Sequence, residues 1–303
     1  MTRLAIGIAA LVGLLTLPLV SNEYVLALIS RILVFAIVAV SLDLILGYGG
    51  MVSFGHAAYF GAGAYVVLAL TLLGVHNGFV HLLLAIAIPA MLGLVVGALS
   101  VRTRSIYFIM LTFAFAQMLF YFAIGQQQFG GDDGMPLQRR SQFWALNLAN
   151  IRHLYYLAVC TLVAVLFACD RLVRSRFGLV LQGCRQNETR LQTMGVATYG
   201  YKVVAFGIAG GIAGLAGFLM ANLNAYVSPN FLDWKVSGDV IMMIVIGGVG
   251  TLFGGPIGAA IFLLLQEVIS LYTDHWMAVF GPLLVLAALF WKRGVYGLLL
   301  RLR

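Results

Sequence analysis

Residues 47–63 read GYGGMVSFGHAAYFGAG, with six glycines in seventeen positions. They follow a long, mostly apolar run at 24–46. Inside a helix, glycine costs about 1 kcal/mol relative to alanine. Six so close together predict an interrupted backbone rather than one continuous rod. The surroundings make that interruption informative. The 303-residue chain is 62% hydrophobic and 9% charged, with a mean hydropathy of +1.03. An ordinary soluble domain carries about 25% charged residues. So little polar side chain cannot cover a water-soluble ball of this size. This excludes an ordinary cytosolic enzyme, a disordered chain and a nucleic-acid module. The apolar stretches are long and continuous, not alternating, which argues against an outer-membrane barrel. The class that remains is an all-α, polytopic transmembrane helical protein.

A hydrocarbon core about 30 Å thick needs about 20 apolar residues per helix. That ruler predicts about ten spans, at 4–20, 24–46, 52–73, 79–100, 106–125, 153–172, 202–222, 239–252, 256–273 and 276–291. The eighth is short and glycine-broken, so nine spans fit as well. With both termini cytoplasmic, 13 of the 18 Lys and Arg residues fall on the inner side. That is the expected positive-inside bias, and it reads the net charge of +8 as topology rather than affinity for nucleic acid. The first run has a signal-peptide look, with Arg3 ahead of it. No A-x-A cleavage pattern follows Pro18, so an uncleaved helix is expected. Cys160 and Cys169 would lie about 13 Å apart on a helix, too far to bridge. Cys184 falls in a basic, cytoplasmic segment where thiols stay reduced. No CxxC or HExxH occurs, and neither a metal nor a cofactor is expected.

Two further glycine clusters stand at 207–217 (GIAGGIAGLAG) and 247–258 (GGVGTLFGGPIG). In the first, spacings of three and four leave one helix face nearly bare, as close helix packing in lipid favours. The second resembles 47–63: Gly49-Gly50 precede Phe54-Gly55, and Gly247-Gly248 precede Phe253-Gly254. Broken backbone at membrane depth is tolerated only against protein or a water-lined cavity. Paired glycine-interrupted segments point to a transport pathway near the midplane. The pattern suggests a weak inverted repeat, 24–125 against 202–291, within one permease domain spanning 1–303. The pathway candidates are Gly49, Gly50, Ser53, Phe54, His56, Tyr59, Gly247, Gly248, Thr251 and Phe253. For His56 a helix–helix hydrogen bond is the commoner role, and a proton relay the rarer one.

Arg31 can snorkel outward. Asp43 stands near the inner end of its helix, just before the first glycine break. Glu267 either lines a path or bonds a neighbouring backbone donor. No chain of Asp, Glu and His runs through the spans, as a proton-driven pump needs. No GxxxxGK[ST] occurs, so ATP, if used, binds another polypeptide. Nothing suggests an enzyme.

SLDLILGYGGMVSFGHAAYFGAGAY (41–65) resembles the first signature of the LivM-type permease subunits of branched-chain (hydrophobic) amino acid ABC importers. Residues 175–217, beginning SRFGLVLQGCRQNETRLQTMG, resemble the coupling loop and next helix of that family. IVIGGVGTLFGGPIGAAI (244–261) and GGDDG (130–134) resemble two further stretches. The resemblance implies half of a heterodimeric pore in the bacterial inner membrane, paired with a LivH-type permease. Two cytoplasmic ATPase subunits and a periplasmic binding protein would complete the importer. It implies that the inner loop, 173–201, holds a short helix at about 178–196 that docks on the ATPase. Leu181, Leu191 and Met194 would give apolar contact, and Arg185, Glu188 and Arg190 polar contact. Gly195 matches the loop's usual glycine, but Arg190 and Leu191 stand where the family has two small residues. The alternative for this loop is an amphipathic helix lying on membrane lipid. Asp132 and Asp133 would meet the binding protein, or form a simple Gly-rich turn. The rival functions are the same permease class serving urea, amides or other amino acids, and a self-sufficient secondary transporter.

Overall fold

The computed structural model describes residues 13, 17–18, 22–103, 106–144, 146–148, 150–273, 275, 278–282, 285 and 294–301. Nearly all of the expected span 4–20 and most of 276–291 lie outside them. Helix α1 covers Glu23–Asp43 and runs on into a π-turn at Leu44–Tyr48. Then come α2 (His56–Leu72), α3 (Gly78–Ser100), α4 (Ile106–Gly125) and α5 (Ile151–Arg174). A basic element, α6 (Arg176–Thr193), leads into α7 (Thr198–Asn224). Helices α8 (Trp234–Gly247), α9 (Gly254–Tyr272) and α10 (Gly294–Arg301) follow.

Among the described residues, six helices are long and apolar enough to cross a membrane: α1 with its π-turn, α3, α4, α5, α7 and α9. Helices α2 and α8 have 17 and 14 residues, short of the roughly 20 that a bilayer core asks for. Side-chain caps set several starts. Asn77, Asn150 and Asp233 accept from the amides of Phe79, Arg152 and Lys235 at 3.0, 3.0 and 3.1 Å. Arg171 and Arg174 close the last turn of α5, where cations suit the helix dipole.

Helices α1 and α7 form the centre. In each, 72% of the most apolar stretch is buried, against 22–33% in the other four long helices. The reason in α7 is its glycine seam. Gly210 and Gly214 face Pro89 and Ala85 of α3, Gly217 meets the Phe60 carbonyl of α2, and Gly63 of α2 meets the Gly214 backbone. A Cβ at any of these four would overlap backbone atoms, which have nowhere to retreat. The seam also receives the ring of Pro89, which lies inside α3. Its role as a packing surface is therefore the one the spacing predicts.

Call the end that carries α6 the basic end. At the opposite end, 126–150 fold over the bundle. Strand β1 (Met135–Pro136) pairs antiparallel with β4 (Tyr226–Val227), and β2 (Gln142–Phe143) with β3 (Leu146–Asn147). A buried polar network fastens this cap. Asn222 accepts from the Ser141 amide at 2.8 Å, and His81 Nδ1 lies 2.7 Å from Ser141 Oγ. His81 Nε2 lies 2.8 Å from the Val75 carbonyl, so it carries the proton and Nδ1 accepts.

The two glycine stretches at 47–63 and 247–258 turn at the same, basic end, where Gly47 lies against Gly250. Each links a helix arriving at that end to one leaving it.

Gly217→Leu is expected to lower the melting temperature in detergent by several degrees, or to abolish the folded peak in size-exclusion chromatography. Gly200→Ala, on α7 with nothing within 4 Å of the added carbon, should leave both unchanged or slightly improved.

Candidate functional site

The first break begins in the π-turn. The chain leaves it at Gly49, passes Gly50 with φ of 69°, and stays non-helical until α2 starts at His56. Free amide donors at a helix start are costly at membrane depth. Here hydroxyls satisfy them. Phe54 N donates to Thr112 Oγ1 at 3.3 Å, Gly55 N to Ser53 Oγ at 3.2 Å, and Ala57 N to Ser237 Oγ at 2.8 Å. Thr112 belongs to α4 and Ser237 to α8, so two other helices complete the start of α2. Thr112 stands six residues, or about 9 Å, into α4. The next residue, Phe113, packs edge-on against Trp234, the first residue of α8, at 5.6 Å. Both short helices therefore begin beside one turn of α4, well inside its length.

The second stretch turns at Gly248 and Gly250, whose φ values of 120° and 76° suit glycine. Thr251 Oγ1 donates to the Gly248 carbonyl at 2.6 Å. Gly247 lies on Gly254, and Gly258 on the Met243 carbonyl, so α8 and α9 touch backbone to backbone. Gly294, at the start of α10, covers Gly248.

The two stretches join through Asp43 of α1, a buried residue whose Oδ1 accepts from Gly250 N at 2.8 Å. Arg185 of α6 donates from Nη1 to the Gly47 carbonyl, and its stem covers Gly50. Beside them a cavity of about 560 Å³ opens between 49–52, the start of α4, α6 and the start of α7. Arg102, Arg185, Glu188 and Lys202 contribute charge to its walls.

The segment expected to hold one docking helix at 178–196 is two helices. Asn187, with an extended backbone (φ −162°, ψ 97°), breaks α6, and its side chain caps the second piece by accepting from Arg190 N at 3.0 Å. That piece ends in a glycine turn. Gly195, at φ 82°, donates to the Gln192 carbonyl at 3.0 Å, and Val196 N to the Leu191 carbonyl at 3.1 Å. Glu188 pairs with Lys202 at 2.6 Å and accepts from Thr198 Oγ1 at 3.0 Å, tying the piece to α7.

The structure sorts the expected docking residues. Leu181 faces inward, fully buried beneath Gly49, so it makes no outward contact. Arg185 and Glu188 hold α6 to the rest of the chain, while Leu191 is half-buried against Gly183. Arg190, Met194 and Gly195 are exposed. Of the pathway candidates, Ser53, His56 and Tyr59 are buried, Phe54 and Thr251 are half-buried, and Phe253 is exposed near Tyr296. Ser41 donates to the Val38 carbonyl, so His56 Nε2, 3.0 Å from Ser41 Oγ, is the donor in a bond between α2 and α1. Glu267 accepts from the Tyr24 hydroxyl instead of a backbone donor. Asp132 and Asp133 are exposed in a turn shaped by Gly130, Gly131 and Gly134, and Tyr226 donates to the Asp133 carbonyl. Sequence reasoning missed Thr112 and Ser237, single hydroxyls in apolar helices whose importance appears only once α2 is laid beside them.

A family described as branched-chain amino acid transport system, permease component, matches residues 24–290. The chain belongs to that family. It is 23% identical over 287 residues to the high-affinity branched-chain amino acid transport system permease protein LivM of Salmonella typhimurium, covering 87% of this chain and 68% of that one. With the LivM of Escherichia coli K12 the identity is 22% over 312 residues, 95% of this chain and 73% of the relative. The LivH permease of the same strain is 22% identical over 283 residues, 87% and 91% of the two chains. No solved structure matches. A multi-pass membrane permease accounts for the six apolar helices.

Burial pushes the Cys184 thiol above its ordinary pKa, outweighing the opposing pull of Lys202. A raised pKa leaves less thiolate at neutral pH. Alkylation of Cys184 by iodoacetamide should therefore be at least tenfold slower at pH 8 than in the unfolded chain, with its midpoint displaced to higher pH. Breaking the tie with Lys202→Ala should speed tryptic cleavage after the exposed Arg190 several-fold.

Proposed function

We propose that the chain is one translocation subunit of an ATP-driven importer in the bacterial inner membrane, with both termini cytoplasmic, moving branched-chain or other hydrophobic amino acids inward. One observation carries this reading. Helices α2 and α8 both begin within the length of α4, and their starts are bound together through Ala57 N and Ser237 Oγ. Helix N-termini carry partial positive charge and suit a carboxylate. Phe54, Phe113 and Trp234 around them are each partly exposed and suit an apolar side chain.

On this reading Gly49, Gly50, Ser53, Phe54, His56 and Tyr59 form one wall of the pathway, and Gly247, Gly248, Thr251 and Phe253 its hinge at the basic end. The repeat halves 24–125 and 202–291 pair α1–α2 with α7–α8, each a long buried helix, a link without α-helix and a short helix. A LivH-type permease faces the open side. Of two ATPase subunits, one grips the second piece of α6, at Arg190, Leu191, Met194 and Gly195. Closure of the ATPase pair pulls on α6, and the glycine links let α2 and α8 follow. A periplasmic binding protein delivers the solute near Asp132 and Asp133. It would set most of the specificity, leaving a weakly binding path from which the solute can depart.

Proteoliposomes holding the chain, its permease partner, the ATPases and the binding protein should accumulate leucine only with ATP. Gly50→Leu and Gly248→Leu, which force a branched side chain onto positive-φ backbone, should cut uptake at least tenfold while the variants still insert. Gradient-driven flux through the chain alone would refute the reading in favour of a secondary transporter.

A further inference from the structure

A buried carboxylate at the end of a membrane helix is costly unless it serves a purpose. Asp43 is 2% exposed, and its Oδ1 reaches across to the amide of Gly250, a residue 207 positions away in sequence. Gly47, one turn further along α1, has no room for a Cβ, because Asp43 Oδ1 and Gly250 N already fill that space. The Gly47 carbonyl, also beside Gly250, accepts from Arg185. A carbonyl in a π-turn lacks its usual helical partner, and the guanidinium supplies one. The same guanidinium nitrogen, Nη1, lies 2.9 Å from where a Gly250 Cβ would stand. Four residues thus tie three moving parts into one knot: α6 through Arg185, the first glycine link through Gly47, and the second through Asp43 and Gly250.

We propose that Asp43 and Arg185 are positioning residues that transmit movement of the docking element α6 to both glycine links at once. This rests on the importer reading and names its transmission. A pull on Arg185 moves the Gly47 carbonyl. Gly47 cannot shift without displacing the Asp43 carboxylate or the Gly250 backbone packed against it. Both Gly47 and Gly250 lack a side chain, so the contact is backbone against backbone with no flexible group to absorb the movement. Asp43 fixes the second link by its amide, and Arg185 fixes the first by its carbonyl. Neither touches the solute in this arrangement.

The test uses the reconstituted importer. Asp43→Ala should lower leucine uptake at least tenfold while the ATPases still copurify and still hydrolyse ATP. Asp43→Asn keeps an oxygen to accept from Gly250 N and should retain several-fold more uptake than Asp43→Ala. Arg185→Gln should uncouple in the same way, and the double variant Asp43→Ala, Arg185→Gln should be no worse than the poorer single one, because both act through one joint.

A second readout does not depend on transport. In a chain with its three cysteines replaced by alanine, Phe253→Cys places a thiol beside the second link. Its maleimide labelling rate should change at least threefold between nucleotide-free and vanadate-trapped complex, and that change should vanish with Asp43→Ala. Equal uptake and an unchanged labelling response in Asp43→Ala would overturn the joint, as would additive losses in the double variant. If Asp43→Ala fails to assemble, the comparison of Asp43→Asn and Arg185→Gln decides by the same criteria. Failure of the unmodified importer to transport would instead reject the function proposed above, a result distinct from any of these.

Discussion

Backbone amides without partners cannot remain at membrane depth, and the rest of this structure depends on how that constraint is met at the start of α2. Three hydroxyls meet it: Ser53 from the link itself, Thr112 from α4 and Ser237 from α8. An unpaired buried donor costs about 1–3 kcal/mol, so a broken helix without these three would rearrange or fill with water. Because two of the three come from other helices, the break is a property of the assembled bundle and not of residues 47–63 alone. The same bonds fix α2 against α4 and α8, which is why two short helices can start side by side instead of crossing independently.

Around this centre the chain separates stiff parts from yielding ones. The α7 seam presses backbone against α2 and α3, and Pro89 fits into it. Such contact gains dispersion energy without long side chains and leaves little freedom to slide. The links at 49–55 and 248–253 are different. They carry positive-φ glycines and few regular backbone hydrogen bonds, and Arg185, Asp43 and Gly294 hold them from outside. Rigid helices joined by held, unwound links are what domain-scale motion requires.

Much of this was legible in the residues. Composition fixed the class, the 20-residue ruler found helices α1 to α9 apart from α6, and the glycine spacing in 207–217 identified the packing face. The break at 47–63 was legible because six glycines disfavour a helix wherever they stand. The relation between the two glycine stretches was not, because whether a loop turns at one end or the other depends on which helices precede it. The resemblance placed Leu181 on an outward contact, yet α6 buries it against Gly49. Asn187 gave no warning of the break in α6, since an asparagine amid Arg, Gln and Glu reads as ordinary exposed helix. Family resemblance supplied the transport role that patterning alone left among several.

The two-piece form of α6 carries an evolutionary consequence. Its first piece is locked to the first glycine link by Leu181 and Arg185, and its second is a short arm capped at Asn187 and closed at Gly195. Substitutions at its exposed Arg190 and Met194 can accumulate without disturbing the transmembrane framework. On the importer reading proposed above, one motor could be exchanged for another by rewriting a few exposed residues of this arm, Arg190 and Met194 among them.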